Sequence, residues 1–222
     1  MKVRISASLM CADPLRLEEA VRQLEDAGCD WFHIDIMDGR FVPNLAMNFE
    51  TVRRIKQISR VPLDVHLMVE QPEQYLDQAI DAGSDIITCH AESTRCPIRL
   101  LEKIRRNNVQ AGLAVNPFTA LHQLRYLVDY LDLLLLMTVE PGFAGQKFIA
   151  AMHAKIGEAR SLVGGINLAV DGNISTGNAL AALEAGANIL VAGTSAVFKK
   201  GGSLAQNLRQ FRESLDYGRS GR

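Results

Sequence analysis

Along this chain a short run of β-branched and aliphatic residues gives way to a segment of helical periodicity, and the alternation repeats about eight times. No other feature constrains the fold as tightly, because strands joined by helices pair in parallel and must bury both faces of one sheet. Candidate strands end near Leu9, Met37, Met68, His90, Val115, Thr138, Asp171 and Gly193. Asp13-Pro14 opens the first helix, with an N-cap carboxylate and a proline at the first helical position. Leu17, Val21 and Leu24 then recur at helical spacing. Gln71-Pro72 opens another helix, with Tyr75, Leu76, Ala79 and Ile80 on one face, and the last helix carries Leu204, Leu208, Phe211 and Leu215. Ala27-Gly28, Ala82-Gly83 and Ala185-Gly186 read as helix ends placed just before the next apolar run. Eight βα units in 222 residues predict an α/β fold, a (β/α)8 TIM barrel forming a single domain over residues 1–222, with a frayed tail from about Tyr217. A doubly wound open sheet is the runner-up; against it, the first strand leads into Met10-Cys11-Ala12-Asp13 with no GxGxxG turn.

Composition narrows the function. The chain has 24 basic and 25 acidic residues, a formal charge of −1, so no basic excess supports binding to nucleic acid or to an anionic membrane. No apolar run approaches the roughly 18 residues of a transmembrane helix. The N-terminal stretch after Lys2 and Arg4 is interrupted by Asp13 and Pro14, and it reads as a strand rather than a signal peptide. Cys11, Cys29, Cys89 and Cys96 form no CxxC pair, and reduced thiols in a cytoplasmic protein are expected.

Chemistry in a (β/α)8 barrel sits at the C-terminal ends of the strands. Ser8 ends strand one, His33 and Asp35 lie near the end of strand two, His66 near the end of strand three, His90 at the end of strand four and Asp171 at the end of strand seven. His122 and His153 fall in helical patterns and read as surface histidines. His33 and Asp35 are two apart on a strand and project to the same face. With His66 and Asp171 they make a set of two imidazoles and two carboxylates, suited to one Zn²⁺, Fe²⁺, Mn²⁺ or Co²⁺ per chain rather than Ca²⁺. The spacing alone equally fits a histidine bonded to a structural carboxylate. Asp64 shares a face with His66 and Met68, as a structural carboxylate or as a partner that orients a ligating histidine.

Glycine loops supply the second signal. Gly142-Phe143-Ala144-Gly145 follows strand six, Gly172-Asn173 follows strand seven and Gly193-Thr194-Ser195 follows strand eight. Such loops let backbone N–H groups approach a phosphate, although glycines of tight turns need no ligand. Lys147 stands beside the first loop and reads as solvated. Met37, Met68 and Met137 fall at strand ends, as core residues or as an apolar floor to a pocket.

His33-Ile34-Asp35-Ile36-Met37-Asp38-Gly39 followed by Phe41-Val42-Pro43-Asn44 resembles the signature of the ribulose-phosphate 3-epimerase family. So do Leu63-Asp64-Val65-His66-Leu67-Met68, Met137-Thr138-Val139 with Pro141-Gly142-Phe143, and Val170-Asp171-Gly172, all in fixed order between about Ile5 and Phe198. The resemblance implies a (β/α)8 barrel that inverts carbon 3 of a ketose phosphate with one divalent metal ion. It implies His33, Asp35, His66 and Asp171 as metal ligands, Asp35 and Asp171 as the acid/base pair, Ser8 and His66 as substrate contacts and the three glycine loops as the phosphate grip. The expected partner is a small-molecule ketose phosphate, and a homo-oligomer is expected. Ala7, Arg40, Ala144, Asn173 and the extra residue in Gly193-Thr194-Ser195 depart from the common pattern. Several of these, with Ser8-Leu9-Met10-Cys11 and Pro43-Asn44-Leu45, look like the allulose-6-phosphate 3-epimerase branch. The expected substrate pair is therefore ribulose 5-phosphate and xylulose 5-phosphate, with allulose 6-phosphate and fructose 6-phosphate as the alternative. A barrel decarboxylase or aldolase would want a lysine in the strand-two motif, which has none. A non-catalytic sugar-phosphate-binding barrel would be expected to lack one of the two aspartates.

Overall fold

The computed structural model describes residues 1–220. Eight parallel strands close into a barrel in chain order: β1 (Arg4–Ser8), β2 (Trp31–Met37), β3 (Leu63–Met68), β4 (Ile86–His90), β5 (Gln110–Val115), β6 (Leu133–Met137), β7 (Asn167–Asp171) and β8 (Ile189–Ala192), with β8 paired back to β1. The strand ends expected from the sequence fall on the observed ends or one residue beyond them. The outer ring comprises α1 (Leu17–Asp26), α2 (Phe49–Ile58), α3 (Leu76–Asp81), α4 (Pro97–Arg106), α5 (Met152–Val163), α6 (Thr176–Glu184) and α7 (Leu204–Ser220). Between β5 and β6 two 3-10 turns, Leu121–Tyr126 and Val128–Tyr130, take the place of an α-helix. The helix α7 runs to Ser220, past Tyr217, where the tail was expected to fray; residues 221 and 222 lie outside the described residues. No helix among the described residues is long and apolar enough to cross a membrane.

The alternation of side chains along each strand divides the core in two. Phe32, Ile34 and Ile36 of β2 face outward into the layer beneath the helices. Trp31, Ile86, Leu133, Leu135, Ala169, Ile189 and Val191 fill the barrel interior. The same alternation turns His33, Asp35 and Met37 inward. Register then stacks them in rungs: His33 is level with Asp64, Asp35 with His66, and Met37 with Met68. Apolar side chains thus dominate the lower barrel, with Ser6 buried among them, and the titratable side chains of β2 and β3 gather toward the C-terminal end.

The opposite end is tied by Asp30, which accepts the Ile5 N–H at 3.0 Å and an Arg212 N–H at 2.7 Å. The last helix is thereby fastened to the first strand. The four cysteines are all free; Cys29 and Cys89 are buried, Cys11 is half-buried and Cys96 is exposed.

Candidate metal centre and active site

The four residues singled out as ligands meet on the barrel axis. One ligand atom from each of His33, Asp35, His66 and Asp171 lies within 4.8 Å of the others. His33 Nε2 is 3.3 Å from Asp35 Oδ1 and 3.8 Å from Asp171 Oδ2. His66 Nδ1 is 3.2 Å from Asp35 Oδ1 and 3.2 Å from His33 Nε2. Donors bound at about 2.0–2.2 Å to a common tetrahedral centre stand about 3.3–3.6 Å apart. The observed separations straddle that spacing, so the donor set fits a divalent cation.

Each donor is held from behind. Asp64 accepts from His33 Nδ1 at 2.8 Å, which leaves His33 Nε2 facing the cluster, and the Thr88 hydroxyl donates to Asp64 Oδ1 at 2.8 Å. The Ser8 hydroxyl donates to Asp35 Oδ2 at 3.0 Å. Thr138 donates to the Asp171 carbonyl at 2.8 Å. Gly172, at φ +120°, lets the chain turn directly after Asp171; a β-carbon there would sit 2.6 Å from Val139 Cγ2 and 2.9 Å from Thr138 Oγ1.

The electrostatics separate the two carboxylates. Burial opposes ionisation of Asp35, but the His33 and His66 imidazoles outweigh it and hold Asp35 well below the usual carboxylate range. Burial pushes Asp171 up to about 7; the charge of His33 opposes this and those of Asp35 and Asp64 reinforce it. For His33, burial favours the neutral ring, yet the carboxylates of Asp35 and Asp64 prevail and raise it well above its ordinary value. His66 goes the other way, and burial takes it down to about 4.

Above the cluster opens a cleft. Ser8, Asp35 and Asp171 line it, as do Met37, Met68 and Met137. Gly142, Phe143, Ala144 and Gly145 form one wall, with Gly172, Asn173, Gly193, Thr194 and Ser195 beside them. His33 and His66 lie beneath the lining, fully buried, so His66 reaches the cluster but not the open cleft. Lys147 is exposed and stands outside the lining. His122 is exposed, and His153 is half-buried against Phe148.

The sequence reading left several contributors without a role. Thr88 shares a strand face with His90 and could have been found from that alternation. Met10, Cys11, Glu140 and Gln146 line the cleft. The side chain of Asn173, at φ +50°, knits the three loops together: its Nδ2 donates to Gln146 O at 2.5 Å and its Oδ1 accepts from Ser195 Oγ at 3.0 Å. Asn44 adds a further tie, donating to Gly142 O at 2.7 Å.

Comparison with known proteins agrees with the geometry. Residues 4–198 match the family described as "Ribulose-phosphate 3 epimerase family". The chain is 44% identical over 200 residues to the chloroplastic ribulose-5-phosphate-3-epimerase of Arabidopsis thaliana, covering 87% of this chain and 71% of that protein. It is 39% identical over 198 residues to ribulose-phosphate 3-epimerase of Bacillus subtilis (strain 168), covering 87% and 91%. Among solved structures, a mutant tryptophan synthase alpha-subunit from Pyrococcus furiosus superposes with a TM-score of 0.71 at 14% identity, covering 98% of this chain and 100% of that one. That likeness shows the barrel fold alone. Motif order, barrel and matched relatives converge: the chain belongs to the ribulose-phosphate 3-epimerase family, a family of isomerases.

Proposed function

We propose that the chain interconverts D-ribulose 5-phosphate and D-xylulose 5-phosphate by moving a proton at carbon 3, with a divalent cation held by His33, Asp35, His66 and Asp171. One observation carries this reading. Asp35 and Asp171 come from non-adjacent strands, converge on one cluster and both line the same cleft.

Inversion of a carbon next to a ketone requires a base on one face of a planar enediolate and an acid on the other. Two carboxylates driven in opposite directions suit that need, Asp35 biased toward the ionised form and Asp171 toward the protonated one. A divalent cation bound at the cluster would supply Lewis-acid stabilisation of the negative charge that develops on the substrate oxygens. In one direction Asp35 takes the carbon-3 proton and Asp171 delivers its own to the opposite face; the other epimer uses the pair in reverse. Each turnover leaves the proton distribution exchanged. Asp171, with its side chain 19% exposed, can reset it through water at the cleft mouth. The methionine floor restricts water around the reacting carbon, and the glycine loops seat the phosphate on backbone N–H groups.

Turnover of ribulose 5-phosphate and allulose 6-phosphate, measured side by side with and without chelator, tests the reading. We expect the five-carbon ketose to react faster, chelation to stop the reaction and Zn²⁺, Fe²⁺, Mn²⁺ or Co²⁺ to restore it. Preferred turnover of the six-carbon sugar would reassign the substrate, and full activity in metal-free protein would remove the cation from the mechanism.

A further inference from the structure

We propose that Asn44 is a positioning residue that fixes the span between the cation cluster and the loop after β6, and so sets the length of ketose phosphate that the cleft prefers. The inference rests on the reaction proposed above. It adds a residue that is neither one of the four candidate ligands nor part of the cleft lining.

In the closed ring of strands β2 and β6 stand opposite each other. β2 carries Asp35, and the loop after β6 brings Gly142–Gly145 to the cleft. A substrate held at both must bridge the mouth, so the separation of the two sides decides the chain length that fits. The segment after β2 is fastened back onto its own strand. The Met47 N–H donates to the Asp35 carbonyl at 3.1 Å, and Asp38 pairs with Leu45. The Asp38 carboxylate stiffens the turn by accepting the N–H groups of Arg40, Phe41 and Glu70 at 2.9, 3.0 and 2.8 Å.

From this platform Asn44 reaches across, and its Nδ2 donates to the Gly142 carbonyl at 2.7 Å. The amide is held in that sense, because its Oδ1 accepts the Leu45 N–H at 2.9 Å and only its nitrogen can serve a carbonyl. Val42 closes on the same glycine: a β-carbon at Gly142, whose φ is +115°, would sit 3.0 Å from Val42 Cβ. One polar and one apolar contact thus hold the first glycine of the loop at a set distance from the strand of Asp35. The loop's other side-chain ties run elsewhere. Gln146 donates to the carbonyls of Glu140 and Phe143, and Asn173 holds Gln146 from the β7 side. Among the described residues, the Asn44 bond is the one side-chain hydrogen bond joining this loop to the segment after β2. Without it the loop is free to back away from the cluster, and the fit to one sugar length is lost.

The test is kcat/KM for ribulose 5-phosphate and for allulose 6-phosphate in wild type, Asn44→Ala and Asn44→Asp. Asn44→Ala removes both bonds of the side chain. Asn44→Asp keeps an acceptor for the Leu45 N–H and loses the donor to Gly142. We expect the wild-type preference for the better of the two sugars to narrow about 2- to 10-fold in both variants, the worth of one neutral hydrogen bond. The charge that Asn44→Asp adds repels both phosphates alike and cancels in the ratio. Zn²⁺ content should stay at the wild-type level. A merely structural role lowers turnover of both sugars equally, and an unchanged ratio overturns the proposal. Narrowing in Asn44→Ala with a wild-type ratio in Asn44→Asp also overturns it, because the effect would then belong to the Leu45 turn. Should Asn44→Ala fail to fold by circular dichroism, Asn44→Asp alone decides. Wild type that prefers the six-carbon sugar reassigns the substrate proposed above and leaves this inference to the variants. Wild type without a preference overturns the inference alone, and wild type active on neither sugar overturns the proposed reaction and the inference with it.

Discussion

Gly112, on β5, packs its bare α-carbon against the Thr88 side chain of β4, so closely that a β-carbon at 112 would collide with Thr88 Oγ1. That hydroxyl is the one that holds Asp64, and Asp64 holds His33. A glycine with no polar atom in the site thus protects the orientation of a candidate metal ligand three contacts away.

Gly112→Ala should therefore do more than overpack the barrel. The overpacking itself should cost about 1–3 kcal/mol in urea unfolding. Displacement of Thr88 should in addition loosen Asp64 and weaken Zn²⁺ binding by about tenfold. A variant that loses stability while keeping wild-type Zn²⁺ affinity would show that Thr88 does not position His33.

Asp35→Asn and Asp171→Asn test the two-face chemistry. Each should lower kcat/KM by at least about 10²- to 10⁴-fold, the typical contribution of a positioned acid or base. Metal content must be measured on both, because each change also removes a candidate ligand. Exchange of the carbon-3 hydrogen with solvent is the sharper readout: a variant missing only the acid can exchange without inverting. Near-normal epimerisation by either variant contradicts the paired-carboxylate assignment.

Much of this molecule could be read before any coordinates. The strand ends were legible because each β-branched run stops at a polar or glycine-rich turn, and the rim residues followed from them. His33, Asp35, His66 and Asp171 were placed together by fold geometry and by motif. What the sequence concealed is of two kinds. Thr88 reaches the cluster only through Asp64, and the register that brings the two into line is a property of the closed sheet. Asn173 departs from the common family pattern, and only the loop crossing shows what its side chain holds. The last helix was legible from its periodicity: α7 packs Leu208, Phe211 and Leu215 into the core and runs to Ser220.

The Asp30 anchor makes stability depend on pH. Burial acts to raise its pKa, but the hydrogen bond and charge of Arg212, the Ile5 N–H and Lys2 together lower it below 3.8. A depressed carboxylate stabilises the fold fully above its unfolded value and loses that contribution as pH falls through the folded value. Asp30→Asn should cost about 1 kcal/mol near neutral pH, a modest figure because Arg212 is partly exposed. The gap between wild type and variant in urea titrations should then close as the solution is acidified below the ordinary carboxylate range. A gap that stays constant through acid would locate the effect in packing rather than charge.

Asn173 offers a way to separate substrate grip from chemistry. Its side chain ties the loop after β7 to Gln146 and Ser195, and its backbone sits in the left-handed region at φ +50°. Asn173→Gly removes the ties and leaves the backbone relaxed, whereas Asn173→Ala removes them and adds strain. Neither change touches the four candidate ligands, so Zn²⁺ content should stay at the wild-type level. Loss of two side-chain hydrogen bonds, each worth about 0.5–1.5 kcal/mol, should raise KM for ribulose 5-phosphate several-fold in Asn173→Gly and further in Asn173→Ala. If the loops exist to seat the phosphate, the penalty must vanish for a ketose without one. Free ribulose should be turned over equally by wild type and both variants. A variant equally impaired on free and phosphorylated ketose would place Asn173 in support of the metal centre and take the phosphate away from these loops.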